Sequence, residues 1–393
     1  MDLPPPDELL PRPAGLAEAP APSLDRAPSQ AELFARLRLA RSRRIGPVTF
    51  RRLLAEHGTA AAALDALPAI AAAAGIAGYA PASEAEVRAE IRAARKAGAR
   101  LLSLGAPGYP VRLAEIADAP PVLWAQGDPA LLLRPTVAVV GTRNASSLAL
   151  RTARALGRDL AEAGVTVVSG LARGVDAAAH EAALPATVAV HAGGLDRVYP
   201  ASNVALGAAI AERGCALSEL PFGHAPQARD FPRRNRIVSG CAQVVVVVEA
   251  AVRSGSMITA RDAADQGREV AAVPGHPFDG RAAGCLMLLR DGATLVRDAG
   301  DVLDLLAALP GAARGARRPV PEPASAPPPA PDAHGLRARI LQLLSPVPVP
   351  EDQLLRDLAP GGGVAARHLA AHLSDMELAG LVERRAGGAL VRL

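Results

Sequence analysis

An open, doubly wound α/β sheet with mostly parallel strands is the fold class this sequence predicts, preceded by a small all-α domain and followed by a winged helix. Three observations carry that reading. Six short apolar runs, at 137–140, 165–168, 188–190, 216–217, 244–248 and 270–273, are separated by helix-length segments, the mark of βαβ units. Each run ends in a small, polar or charged cluster, and right-handed crossovers lay such strands parallel, so the six clusters share one edge of the sheet. Ligands of open α/β sheets bind outside that edge, which predicts one composite site built from six loops. Proline- and alanine-rich tracts set this core apart from helical patterns at either end.

Residues 1–28 are rich in proline and alanine without periodicity and are expected to be disordered. A helical pattern begins at Ala31 with Leu33, Leu37 and Leu39, breaks at Gly46-Pro47, and resumes with Phe50, Leu53 and Leu54. Alanine-rich helices continue to Gly98, a helix stop, giving a helical domain at 29–98. The core occupies 99–309, entered through an irregular connector at 101–123 that brings a strand into the sheet. A second proline-, alanine- and arginine-rich tract at 310–332 reads as a semi-rigid linker. Beyond it, helical patterns at 336–344, 351–358 and 364–379 precede two β-prone pieces around Gly387-Gly388, the layout of a winged helix over 333–393.

The composition narrows the chemistry. A hydrophobic fraction of 50% over 393 residues excludes wholesale disorder, and the net charge of +4 is mildly basic. Nearly all of the positive charge is arginine, with Lys96 the only lysine, and arginine offers phosphate a bidentate geometry that lysine lacks. Cys215, Cys241 and Cys285 are scattered without a CxxC partner, so neither a zinc site nor a disulfide framework is expected. Asp2 and a proline run stand where a signal peptide would be basic and then apolar, and no apolar run is long enough to span a bilayer. A cytoplasmic protein without membrane contact, metal or cofactor is the expectation.

Four loops offer groups for anions. Gly141-Thr142-Arg143 follows a buried run and precedes a helix starting near Ser146, where a glycine, a helix N-terminus and a guanidinium can meet a phosphate. It is neither the dinucleotide fingerprint, because Arg143 and Ser146 stand where glycines would be, nor a P-loop. The second loop repeats the arrangement with Ser169, Gly170, Arg173 and Gly174, then a helix start near Asp176. His180 falls four residues after Asp176 on the same helical face, and the two read as a pair buttressing the loop or as a base with its orienter. The third segment packs Arg233, Arg234 and Arg236 around Asn235 beside Phe231, which suits a polyanion whose bases stack; a solvated basic turn before a helix is the plain alternative. The fourth places Ser254, Gly255 and Ser256 at a helix start with Thr259 in its first turns, a pattern that capping partly explains. Glu249, closing the fifth run, is assigned to structural support together with Asp176 and His180. No nucleophile has a convincing base and no metal-ligand spacing appears, so no catalytic residue is assigned. Holding several phosphates fits these loops better than breaking bonds.

The segments VAVVGTRNAS, VVSGLARGVDAAAH, GGLDRVYPASN, SELPFG, DFPRRNRIVSG and EAAVRSGSMITARDAADQGREVAAVPG, in this order and spacing, resemble the DNA-processing protein A family, also called Smf, over residues 100–300. The resemblance implies a Rossmann-like core, an N-terminal domain like a sterile-alpha-motif or helix-hairpin-helix domain, and a C-terminal winged helix. It further implies a non-enzymatic single-stranded-DNA-binding recombination mediator that protects incoming DNA in natural transformation and loads RecA, acting as a homodimer through the core. By motif position, Arg143, Phe231, Arg234, Asn235 and Arg236 are then DNA contacts, and Gly141, Gly170 and Gly174 let the backbone approach phosphates. Two other readings compete. A nucleotide phosphoribohydrolase acting through Glu219 and Glu249 needs a PGG-x-GT-like loop, and Pro274-Gly275-His276 stands instead. A transcriptional regulator would read duplex DNA through the winged helix, whose third helical segment offsets Arg367, His368 and His372 with Asp375 and Glu377.

Overall fold

The computed structural model describes residues 28–309, 333–358, 366–385 and 388–392. Apart from Pro28, the tracts expected to be disordered at 1–28 and to link domains at 310–332 lie outside those residues. Helices α1 (Gln30–Arg41), α2 (Pro47–His57), α3 (Ala60–Ala73) and α4 (Glu84–Lys96) make the N-terminal domain. Pro47 sits at the first turn of α2, where its missing N–H costs nothing, and a Ser83–Glu86 capping box starts α4. Phe50, Leu53 and Leu67 are buried between α1, α2 and α3. Glu90 accepts hydrogen bonds from Arg41 and from Trp124 Nε1 at 2.6 Å, tying the domain to the central sheet.

The core runs β1 (Arg100–Ser103), α5 (Val111–Glu115), β2 (Val122–Gly127), β3 (Thr136–Val140), α6 (Ser147–Glu162), β4 (Thr166–Ser169), α7 (Val175–Ala183), β5 (Thr187–Val190) and α8 (Val204–Arg213). It continues through β6 (Cys215–Ser218), α9 (Asp230–Cys241), β7 (Val244–Val247), α10 (Gly255–Asp265), β8 (Glu269–Ala272), α11 (Ala283–Arg290), β9 (Thr294–Leu295) and α12 (Ala299–Ala308). All six apolar runs are strands. The sheet order is β1-β2-β6-β5-β4-β3-β7-β8-β9, parallel from β6 to β9, with β1 and β2 antiparallel at one edge. The connector thus contributes two strands where one was expected.

Both faces of the sheet are covered, which explains why the strands read as unbroken apolar runs. Val137, Val139, Val244 and Val246 pack against α6, α7 and α12, while Ala138, Val140, Val245 and Val247 pack against α9 and α10. The strand order reverses between β3 and β7, and the loops leaving these neighbours diverge to opposite faces. A crevice must open there.

The C-terminal domain comprises α13 (Ala333–Leu343), β10 (Val349–Pro350), α14 (Glu351–Leu358), α15 (Ala366–Leu378), β11 (Val382–Arg384) and β12 (Ala389–Arg392), its strands in the order β10-β12-β11. Three helices and a small antiparallel sheet are a winged helix. Its buried Asp357 meets Ser147 and, at 3.3 Å, Arg154 of α6. Among the described residues no helix is long and apolar enough to cross a membrane.

Candidate nucleic-acid interface

The crevice at the order reversal is a cleft of about 380 Å³. Its walls are the loops after β3, β4 and β7 and one face of α9, with Arg143, Gly170, Phe231, Arg234, Ser256 and Thr259 among the lining. The loops after β5 and β6 border a second cavity, and the loop after β8 a third. Of the six loops expected to build one site, three line this cleft together with a helix, at the reversal where neighbouring loops part.

Residues 230–241, with turn and polyanion platform both open on sequence, form helix α9. At about 100° per residue, positions i, i+3, i+4 and i+7 share a face, and Phe231, Arg234, Asn235 and Val238 all turn into the cleft. Arg233 and Arg236 fall on another face. Arg236 is buried, pairs with both Glu219 oxygens at 2.9 and 2.7 Å and reaches Asp118 at 3.2 Å. Arg236, expected as a DNA contact, lies outside the cleft lining, and its charge is met by carboxylates of the protein. Arg233 is exposed, 4.0 Å from Glu219, and outside the cleft lining.

Arg234 forms the floor. It is 7% exposed, and its Nη1 donates to the Val190 carbonyl at 2.9 Å. A Cβ on Gly170 would overlap its guanidinium, so the missing side chain at 170 makes the room Arg234 occupies. Burial pushes the Arg234 pKa down to about 10, with Arg143 adding repulsion and Asp176 opposing. It stays a cation at neutral pH. Asp176 accepts the Gly170 and Ala172 N–H groups at 3.1 and 3.3 Å, holding the loop around Arg234, and burial raises its pKa.

At the rim, Arg143 is exposed and its guanidinium lies 5.2 Å from the Phe231 ring centroid, a cation–π distance. Tyr199, from the loop after β5, meets Phe231 edge-to-face at 5.3 Å. The sequence signals for arginine and phenylalanine were a cluster; Tyr199 has only the single basic neighbour Arg197 and was missed.

The glycines answer first to chain packing. A Cβ on Gly141 would come 2.6 Å from Val175 Cγ2, and Gly174 has φ +79° with a Cβ position 2.9 Å from the Arg143 carbonyl. They let the loops after β3 and β4 lie against each other. The start of α6 is already occupied: Ser146 N–H donates to the Glu249 carboxylate at 2.9 Å, and Ser146 Oγ accepts from Ala149 N–H. Glu249 also takes the Thr142 N–H on its own carbonyl at 2.7 Å. The acceptor at that helix start is the protein's own Glu249 carboxyl, whose pKa burial raises. The start of α10 is the open one, since Ser254 makes no side-chain cap and instead meets Ser256 Oγ at 3.0 Å. Asn235 Nδ2 donates to Gly255 O at 3.2 Å, joining α9 to this turn. Ser169 donates to Val139 O inside the sheet, and Arg173 is exposed but outside the lining.

His180 is not paired with Asp176. Its Nδ1 meets Thr187 Oγ at 2.7 Å, because Asp176 is turned to the loop amides. Burial, reinforced by Arg234, pushes His180 down to about 3 and the neighbouring His191 to about 4. With folded values below the ordinary 6.5, the unfolded chain takes up protons first, so their contribution to stability is complete above pH 6.5 and is lost as pH falls towards 4. His180→Leu is expected to make the fall in unfolding free energy between pH 6 and 5 shallower by about 1.4 kcal/mol per pH unit. Urea midpoints across that range check it, and parallel curves for the two proteins contradict it. Among the described residues no group of three His, Cys, Asp or Glu side chains is placed to hold a metal ion.

The sequence matches the family described as DNA recombination-mediator protein A over residues 100–307. A DprA-like N-terminal HHH domain matches 30–93 and a DprA winged helix domain matches 323–388. DNA processing protein DprA of Bacillus subtilis (strain 168) is 39% identical over 220 residues, 55% of this chain and 74% of that protein. Protein Smf of Escherichia coli (strain K12) is 44% identical over 202 residues, covering 50% of this chain but only 54% of its own length. The X-ray structure of DNA processing protein A from Streptococcus pneumoniae superposes with a TM-score of 0.53 at 40% identity, over 56% of this chain and 77% of that one.

Proposed function

The chain belongs to the DNA recombination-mediator protein A family, and from that premise we propose that its cleft binds single-stranded DNA. One observation carries this reading: an exposed and a buried guanidinium, Arg143 and Arg234, share a cleft with an aromatic rim and an open helix start. Two cations and free N–H groups answer phosphates, while the rim answers base faces that a duplex keeps stacked on each other. We propose that the protein holds the strand without cutting it. Asp176, Glu249 and His180 are each engaged with a loop amide or a threonine, which suits scaffolding. Protection of the strand, delivery of it to RecA, and action as a homodimer in the cytoplasm complete the proposal.

Fluorescence anisotropy with a thirty-nucleotide oligo-dT and its duplex counterpart tests the reading. The single strand is expected to bind more tightly. Arg143→Ala is expected to weaken binding to unrelated single strands about equally and to lower the slope of log affinity against log salt by about 1. Sequence-selective loss, or tighter duplex binding, contradicts it. For the downstream steps, the chain is expected to shorten the lag of RecA assembly on strands coated with single-strand-binding protein and to slow their digestion by nuclease. Sedimentation tests the dimer.

A further inference from the structure

Phe231 has one face under the Arg143 guanidinium and meets Tyr199 edge-to-face, so its ring is enclosed by protein groups on two sides. Tyr199 is different. It is 52% exposed, an unusual position for an aromatic ring touching the lining of a charged cleft. Its loop is not loose: Asn203 Nδ2 donates to the Leu171 carbonyl at 2.9 Å, tying the Tyr199 loop to the loop that carries Arg173. Arg173 is exposed on that loop and has no ion-pair partner among the described residues. A held, half-exposed aromatic, with an exposed guanidinium on the loop it is tied to, repeats the pairing of residue types seen in Phe231 and Arg143.

We propose that Tyr199 is a stacking platform for an unpaired base of the strand held in the cleft, with Arg173 meeting the phosphate beside it. This rests on the single-strand reading above and extends it: the strand leaves the cleft towards β5, and the Tyr199 face, not Phe231 alone, takes a base. Nothing about the platform is selective for sequence, since every base has a face to stack.

The test uses the full chain with oligo-dT and with a strand of the same length made of abasic sugar-phosphate units. Tyr199→Ala is expected to weaken oligo-dT binding about 5- to 150-fold, the range for one stacked base, while leaving the salt slope and the affinity for the abasic strand unchanged. Tyr199→Phe is expected to bind as the parent does, and Tyr199→Trp to lose fluorescence on adding oligo-dT against the constant signal of buried Trp124. Equal weakening on both strands, or none on either, overturns the platform and leaves the cleft reading standing. Failure of the parent protein to bind oligo-dT sinks the underlying reading instead.

Discussion

Arg234→Met is expected to weaken single-stranded DNA binding roughly 10- to 150-fold, the worth of one charge-assisted hydrogen bond, without lowering the melting temperature. The two halves of this outcome have one cause. Arg234 is held as a cation although burial pushes its pKa down to about 10, which corresponds to roughly 3 kcal/mol of stability forgone at neutral pH. Its folded value lies below the unfolded one, so that penalty is present throughout the physiological range and eases only as pH climbs past 10. Methionine fills similar space without charge. Removing the buried charge relieves its desolvation, the largest of the opposing effects, which offsets the lost bond to Val190 O and the lost attraction to Asp176. Titration of oligo-dT paired with a thermal melt decides the matter. Unchanged binding would remove Arg234 from the site; a collapse in melting temperature would make it a structural ion.

Gly174→Ala is expected to cost roughly 2–4 kcal/mol of stability, lowering the melting temperature by roughly 5–12 °C. At φ +79° an alanine is strained, and its Cβ would press on the Thr142 and Arg143 carbonyls, which are backbone and cannot swing aside. The same substitution at Gly170 would meet the Arg234 guanidinium, so its first effect is to push that buried cation from the floor rather than to strain backbone. The contrast separates the two glycines: position 174 sets how the loops after β3 and β4 pack, whereas position 170 sets where a cation sits. Calorimetry on Gly174→Ala checks the expectation, and a melting temperature within a degree or two of the parent contradicts it.

The strands were legible because they are buried on both faces. Val137 to Val140 and Val244 to Val247 have no polar face to interrupt the run, and their sequence reads as their structure does. The helical domains at either end were legible from leucine spacing and from glycine and proline stops. The site was read less well, and each miss has a physical source. Arg233, Arg234 and Arg236 are adjacent on paper, but a helix rotates them apart, so one faces the cleft floor, one faces solvent and one is consumed by Glu219. Charge clusters in a sequence carry no phase until the helix around them is assigned. The helix start near Ser146 looked open because Glu249, 103 residues away, fills it only in three dimensions. Asp176 and His180 have the spacing of a pair, yet two loop amides compete successfully for the carboxylate. Tyr199 reached the rim through the order of β5 in the sheet, which no local pattern encodes.

Photocrosslinking tests most directly where the strand lies. Oligo-dT carrying 5-iodouridine at single positions, irradiated with the full chain and mapped by peptide mass, is expected to label peptides spanning 230–241 and 251–259, with Arg234→Met losing both. Labels confined to the winged helix, and unaffected by Arg234→Met, would place the strand elsewhere and contradict the cleft.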